Sequence, residues 1–234
     1  MKKNFIETQN VQRFRKAIAT ALDTEKGRPG MVVVWGEAGS GKTQAAQEIY
    51  AGNGFYLRAM EGISQCAFLQ SVCFEVKGSR PRTTYLCKTE VIKALDGSRQ
   101  ALFIDEADRL DIRRIEDLRD IYDMTGAPVV LIGEQGLPTR LESRSRIIDR
   151  IPNEFRVEFG KIDRQDVTLF ALEAADLTLT PEASALVHTE TRGNFRRVYN
   201  VVLSLESAAR AAGSGEVSAD LVKAVLGTVK KGRR

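Results

Sequence analysis

The stretch "MVVVWGEAGSGKT", residues 31 to 43, decides the fold. A short apolar run rich in valine reads as a buried strand, and the turn that follows, "GEAGSGKT" (36 to 43), fits the phosphate-loop pattern in full. Gly36, Gly39 and Gly41, with Glu37, Ala38 and Ser40 between them, let backbone amides turn inward around phosphate oxygens at the start of a helix. Lys42 reaches the terminal phosphates, and the Thr43 hydroxyl is a ligand for Mg2+, so ATP with Mg2+ is the expected pairing. The competing reading is a glycine-rich turn with a chance lysine.

Outward from that stretch, four more apolar runs recur: "FYLRA" (55 to 59), "ALFID" (101 to 105), "PVVLI" (128 to 132) and "RVEF" (156 to 159). Helical patterns separate them, which predicts an α/β fold, a parallel five-stranded sheet flanked by helices. Between the third and fourth runs, Ile112, Ile115, Leu118 and Ile121 form the apolar stripe of a crossover helix, and Arg113, Arg114, Glu116, Asp117 and Arg119 occupy its other positions. That helix ends at Gly126. In "ALFIDEAD" (101 to 108) the strand delivers Asp105 and Glu106 to the edge where parallel sheets bind ligands. Asp105 would hold magnesium, largely through water, and Glu106 would orient and deprotonate the attacking water.

After about residue 160 the strand signal stops, and helices are expected near 163 to 175, 181 to 190, 194 to 212 and 218 to 229. Asp163, Thr180 before Pro181, and Ser218 are the candidate helix starts. The expected division is a nucleotide-binding α/β domain over 1 to 160 and a small all-α lid over 161 to 234.

The composition is that of a soluble globular chain: 234 residues, 43% hydrophobic, formal charge +4. No apolar run is long enough to cross a bilayer and the N-terminus lacks a signal-peptide core, so a cytoplasmic location is expected. Three cysteines, Cys66, Cys73 and Cys87, have no metal-ligand spacing and read as reduced thiols. The basic tail "KKGRR" (230 to 234) reads either as a frayed terminus or as a phosphate contact, and His188, the single histidine, reads as structural.

Together, "GEAGSGKT", "LFIDEAD" and the helical C-terminal region resemble the P-loop AAA+ ATPases, over nearly the entire chain. "FIETQNVQRF" (5 to 14), "DEADRL" (105 to 110) and "TGAPVVLIGEQGLPTRL" (125 to 141) further resemble the DNA-transposition ATPases, the phage Mu B protein-like group with relatives in Tn7-type and IS21-type elements. The resemblance implies ATP-driven assembly of a homo-oligomer, ring or filament, on double-stranded DNA, and recruitment or stimulation of a transposase. It assigns Arg196, in "GNFRRVYN" (193 to 200), to the nucleotide's phosphates, and Phe5 and Ile6 to the adenine. Glu134 occupies the first-sensor place, a departure from the small neutral polar residue usual there, with Gln135 as the alternative.

The Mu B protein has an additional DNA-binding domain ahead of its ATPase, so the expectation here is that DNA contacts come from the ATPase itself. "KGSRPRTT" (77 to 84) supplies Lys77, Arg80 and Arg82 as candidate contacts, a solvated turn being the other reading. "TRLESRSRIIDR" (139 to 150) holds four arginines. Read as one helix, it pairs Arg140 with Arg144 and Arg146 with Arg150 on separate faces, which disfavours a single DNA strip. The resemblance makes Arg146, or else Arg144, the arginine that completes a neighbouring subunit's site; the alternative is a solvated helix bridged through Glu142 and Asp149. Two other functions fit the nucleotide motifs: an initiator or loader ATPase of replication, and a nucleotide-switched module of secretion or signalling.

Overall fold

The structure, a computed structural model, describes residues 5–23 and 30–231. Gly232, Arg233 and Arg234 of the basic tail lie outside the described residues. The chain divides into two compact units: one comprises residues 12–38 and 42–159, the other the N-terminal segment to Val11, Gly39–Gly41 and the chain from Gly160 onward.

In the first unit the apolar runs form five parallel strands, β1 (Met31–Gly36), β2 (Gly54–Arg58), β3 (Ala101–Asp105), β4 (Val129–Gly133) and β5 (Arg156–Phe159), in the order β2-β3-β4-β1-β5. Every residue of β3 and β4 is buried, as strands covered on both faces must be, which is why these runs are continuously apolar rather than alternating. Helix α1 (Gln9–Leu22) places Phe14 edge-on against Phe103 and Phe159, with ring centroids 6.4 and 5.9 Å away. The crossovers are α2 (Lys42–Tyr50), the pair α3 (Gln65–Lys77) and α4 (Thr84–Leu95), α5 (Ile112–Thr125), and the short α6 (Leu137–Glu142) and α7 (Ser145–Ile148).

Helix α5 buries Ile115, Leu118 and Ile121, and Gly126 closes it in the left-handed conformation at φ 69°. It also buries Asp117, a residue its periodicity assigned to the polar face. The carboxylate is retained because Gln65 Nε2 donates to both its oxygens at 3.0 and 3.1 Å, and Lys88 and Arg114 pair with it at 3.3 and 3.6 Å. A buried charge with that many partners avoids the several kcal/mol an isolated one would cost, and it ties α3, α4 and α5 together.

In the second unit, α8 (Arg164–Ala175), α9 (Pro181–Thr191), α10 (Phe195–Ala212) and α11 (Ala219–Lys231) enclose a core that includes Val167, Phe170, Val187, Val202 and Leu205. Asp163 and Thr180 cap α8 and α9, and Ser218 Oγ accepts from Leu221 N at 3.4 Å ahead of α11. The unit is not wholly helical. β6 (Thr178–Leu179) and β7 (Glu216–Val217) pair in parallel, because Leu179 and Val217 bury their side chains and their extended backbones need partners. Ile6 is buried in this core at 4% exposure, and His188 Nε2 lies 3.1 Å from Ile162 O.

Candidate active site

Because the strands are parallel, their C-terminal ends share one edge, and the sheet order brings Arg58, Asp105, Gly133 and Gly36 to it in succession. The phosphate loop leaves β1 there. A Cβ at Gly36 would meet Phe159 O at 2.4 Å, so only glycine lets β1 turn beside β5. Gly39, at φ 80°, accepts a 2.9 Å hydrogen bond from Arg196 N through its carbonyl, and a Cβ there would sit 2.9 Å from Arg196 Cβ. Lys42 is 9% exposed; its Nζ donates to Gly36 O at 2.8 Å and Glu37 O at 2.9 Å, holding the loop closed on itself. Glu37 and Ala38 are exposed, and Ser40 and Thr43 are half-buried.

Asp105 is 2% exposed. Its Oδ1 accepts from Glu106 N at 2.9 Å and its Oδ2 from the Tyr56 hydroxyl at 2.6 Å. Burial, and then the Asp105 carboxylate, push the Tyr56 hydroxyl far above its ordinary value, so it remains a donor. Thr43 and Asp105 offer few, hard oxygen donors, and among the described residues no cluster of three or more His, Cys, Asp or Glu could cage a metal. That donor set fits magnesium, which keeps most of its own waters and is shared with substrate phosphates.

Glu106 stands in the left-handed region, φ 54° and ψ 38°, which turns it off the strand end at a cost of about 1–3 kcal/mol. Arg58 hydrogen-bonds to its Oε1 and Arg109 pairs with Oε2. Oε2 is buried and receives the charge of Arg109 with no hydrogen bond aligned to it. Sequence reasoning missed Arg58, Arg109 and Tyr56. The signal was the register, which sets Arg58 opposite Asp105 and therefore beside Glu106.

Glu134 is exposed just past β4, and its backbone N–H donates to Asp108 Oδ1 at 3.0 Å. Phe5 is half-buried and Arg196 is exposed.

The arginine stretch is not one helix. α6 ends at Glu142, and Arg144 adopts an extended backbone, φ −129° and ψ 96°, before α7 begins, so the predicted pairing of faces does not hold. Arg140 donates to the carbonyls of Asp108 and Leu110. Arg150 makes a two-toothed pair with Asp123 at 2.9 and 3.0 Å, which raises its guanidinium above the ordinary value. Glu142 pairs with Arg156 instead, at 3.5 Å. Arg144 and Arg146 are exposed, and among the described residues their side chains have no partner.

Lys77 ends α3 and pairs with Glu90. Arg80 lies over the Phe74 ring, 4.4 Å from its centroid, and Arg82 is exposed with its side chain unpaired among the described residues.

No helix among the described residues is long and apolar enough to cross a membrane. Comparison with known proteins matches residues 24–141 to the AAA domain family. The chain is 27% identical over 224 residues to the ATP-dependent target DNA activator B of Escherichia phage Mu, spanning 91% of this chain and 69% of that protein. It is 24% identical over 206 residues to the Mu-like prophage FluMu DNA transposition protein B of Haemophilus influenzae, spanning 82% of this chain and 69% of that protein. Among solved structures, the Aeropyrum pernix ORC1 protein in complex with DNA has a TM-score of 0.63 at 17% identity, over 96% of this chain and 66% of that one; this likeness is one of fold. The matched span holds the phosphate loop, the Asp105–Glu106 strand end and the end of β4, and the chain therefore belongs to the AAA domain family as an ATPase of the Mu B-like kind.

Proposed function

We propose that the protein hydrolyses ATP to control its own assembly on target DNA, and that the DNA-bound oligomer recruits or stimulates a transposase. The observation that carries this reading is the similarity to activator B across 91% of the chain, which includes both the nucleotide motifs and the helical unit. The initiator or loader alternative has a likeness of fold behind it rather than one of sequence, and a secretion or signalling module is separated from both by the DNA test below.

In this reading Gly36, Glu37, Ala38, Gly39, Ser40, Gly41, Lys42 and Thr43 cradle the phosphates of ATP. Lys42 is already desolvated and aimed inward by the two carbonyls it holds. Thr43 and Asp105 would hold magnesium, which would supply positive charge to the phosphate oxygens. Asp105 is kept in a fixed orientation for that task by Tyr56 and by the Glu106 amide. Glu106 takes the proton of the attacking water. Arg196, whose backbone fastens Gly39, is the residue assigned to the phosphates, with Phe5 towards the adenine and Glu134 towards the γ-phosphate end, whereas Ile6 is buried in the helical core.

Arg58 holds Glu106 back, since its guanidinium occupies Oε1 and ties the carboxylate to β2, away from an attacking water. Replacing it, Arg58→Ala, is expected to raise ATP turnover in the absence of DNA by up to about fivefold, the scale of an exposed ion pair. Steady-state phosphate release measures this; a fall in turnover would mean that Arg58 supports the base instead.

The DNA arm is tested by co-sedimentation of the protein with non-specific duplex, with and without ATP and magnesium, over a salt series. Retention at low salt that requires ATP is expected, and Arg80→Ala and Arg82→Ala should each reduce the slope of log affinity against log salt by about one. A protein that leaves duplex in the supernatant at every salt concentration would remove the transposition reading.

A further inference from the structure

The turn between α3 and α4 presents more than charge. From Lys77 to Leu86 the chain "KGSRPRTTYL" contains three cations and no acid. Directly after the turn, in the first turn of α4, Tyr85 is 76% exposed and Leu86 is 47% exposed, although both are large apolar side chains on an ordered helix. On the other side of the turn Phe74 is 44% exposed beneath the Arg80 guanidinium.

The turn is also held in place from below. Gln70 Nε2 and Cys87 Sγ both donate to Pro81 O, at 2.8 and 3.2 Å, and Cys66 Sγ donates to Arg82 O at 3.5 Å. Thr83 Oγ1 accepts from Leu86 N at 3.2 Å and fixes the start of α4. The cysteines that sequence spacing left without a role are thus among the groups that fix this turn. A turn fixed by these bonds, carrying both cations and an uncovered aromatic ring, is already ordered before binding, so little further entropy is lost when a ligand arrives.

We propose that Tyr85, flanked by Leu86, is a wedge that contacts the bases of double-stranded DNA while Arg80 and Arg82 grip the phosphates on either side of it. This rests on the DNA-binding reading above and sharpens it. Charge complementarity selects a polyanion, and the exposed ring selects a polyanion with flat apolar faces, which a sulfated polysaccharide or an acidic peptide lacks. Apolar side chains beside phosphate-gripping cations unstack a base step and bend the duplex, without reading its sequence. Binding would therefore deform the DNA it covers.

The test uses the full chain with ATP and magnesium, a fluorescent non-specific duplex carrying 2-aminopurine, and heparin as a polyanion without bases. Tyr85→Ala is expected to weaken duplex binding about tenfold and to abolish the 2-aminopurine signal. Its salt slope and its heparin affinity should match the wild type, because no charge is lost. Tyr85→Phe should bind duplex as the wild type does, since the ring and not the hydroxyl is used, and Arg82→Ala should weaken duplex and heparin alike. With so exposed a side chain, a thermal melt should show both Tyr85 variants folded. Wild-type duplex affinity in Tyr85→Ala, or an equal loss towards heparin, overturns the wedge and leaves DNA binding standing. A loss confined to single-stranded DNA also overturns it. A wild-type protein that retains no duplex overturns the DNA reading and the wedge together.

Discussion

Glu106→Gln is expected to lower ATP turnover by about 10²–10⁴, the usual scale for loss of a general base, while nucleotide binding persists. The amide keeps the size and reach of the carboxylate but cannot accept a proton. Its position supports the role: the residue is the first past β3 and is turned off the strand end at φ 54°. Two guanidiniums, Arg58 and Arg109, already balance its charge, so the neutral variant loses two ion pairs at a partly exposed site and the fold should tolerate it. Turnover by phosphate release and affinity by fluorescent-nucleotide titration separate the two effects. If binding drives assembly, the variant should accumulate on duplex DNA as an ATP-bound oligomer visible by electron microscopy. Turnover at the wild-type rate would transfer the base to another group.

Arg146→Ala is expected to reduce ATP turnover of the assembled protein by about 10³ while leaving nucleotide binding by each subunit intact. Arg146 and Arg144 are the candidates for the role, and the other two arginines of the stretch are engaged within the chain. Arg140 is committed to the Asp108 and Leu110 carbonyls, and Arg150 to Asp123. Arg144 and Arg146 remain exposed, one on the extended link and the other in α7. A guanidinium with no partner among the described residues is available to a neighbour's transferred phosphoryl group, where its charge is needed only as the reaction proceeds. Mixing provides the decisive measurement. Arg146→Ala subunits retain a complete nucleotide site, and Lys42→Ala subunits retain the arginine, so a co-assembled mixture should recover turnover that neither has alone. Full activity in Arg146→Ala with loss in Arg144→Ala would assign the role to Arg144. Co-assembly without recovery would count against any arginine acting between subunits.

The fold was legible because its signals are local. The valine-rich run before Gly36 and the buried runs of β3 and β4 are continuous in sequence, and both central strands end within a residue of where their composition changes. Asp163, Thr180 and Gly126 mark helix ends because a cap satisfies backbone groups only a few residues away. β6 and β7 were not legible: two residues are too few for any period, and each is a strand only because the other lies beside it. The single-helix reading of 139 to 150 failed for a related reason. Nothing in that composition forbids a helix, and the break at Arg144 accompanies long-range ties that fasten Arg140 and Arg150 to different partners.

By itself, then, the sequence determined the strands, the phosphate loop, and the arrival of Asp105 and Glu106 at a strand end, because each follows from neighbours in the chain. Tertiary structure alone decided which charges meet. Arg58 reaches Glu106 across 48 residues only through the β2–β3 register, Lys88 reaches a buried Asp117 only through the packing of α4 on α5, and two of the four arginines are occupied only because of where α6 and α7 lie. An ion pair depends on distance in space, and a chain's own order does not encode that distance until the sheet has set it.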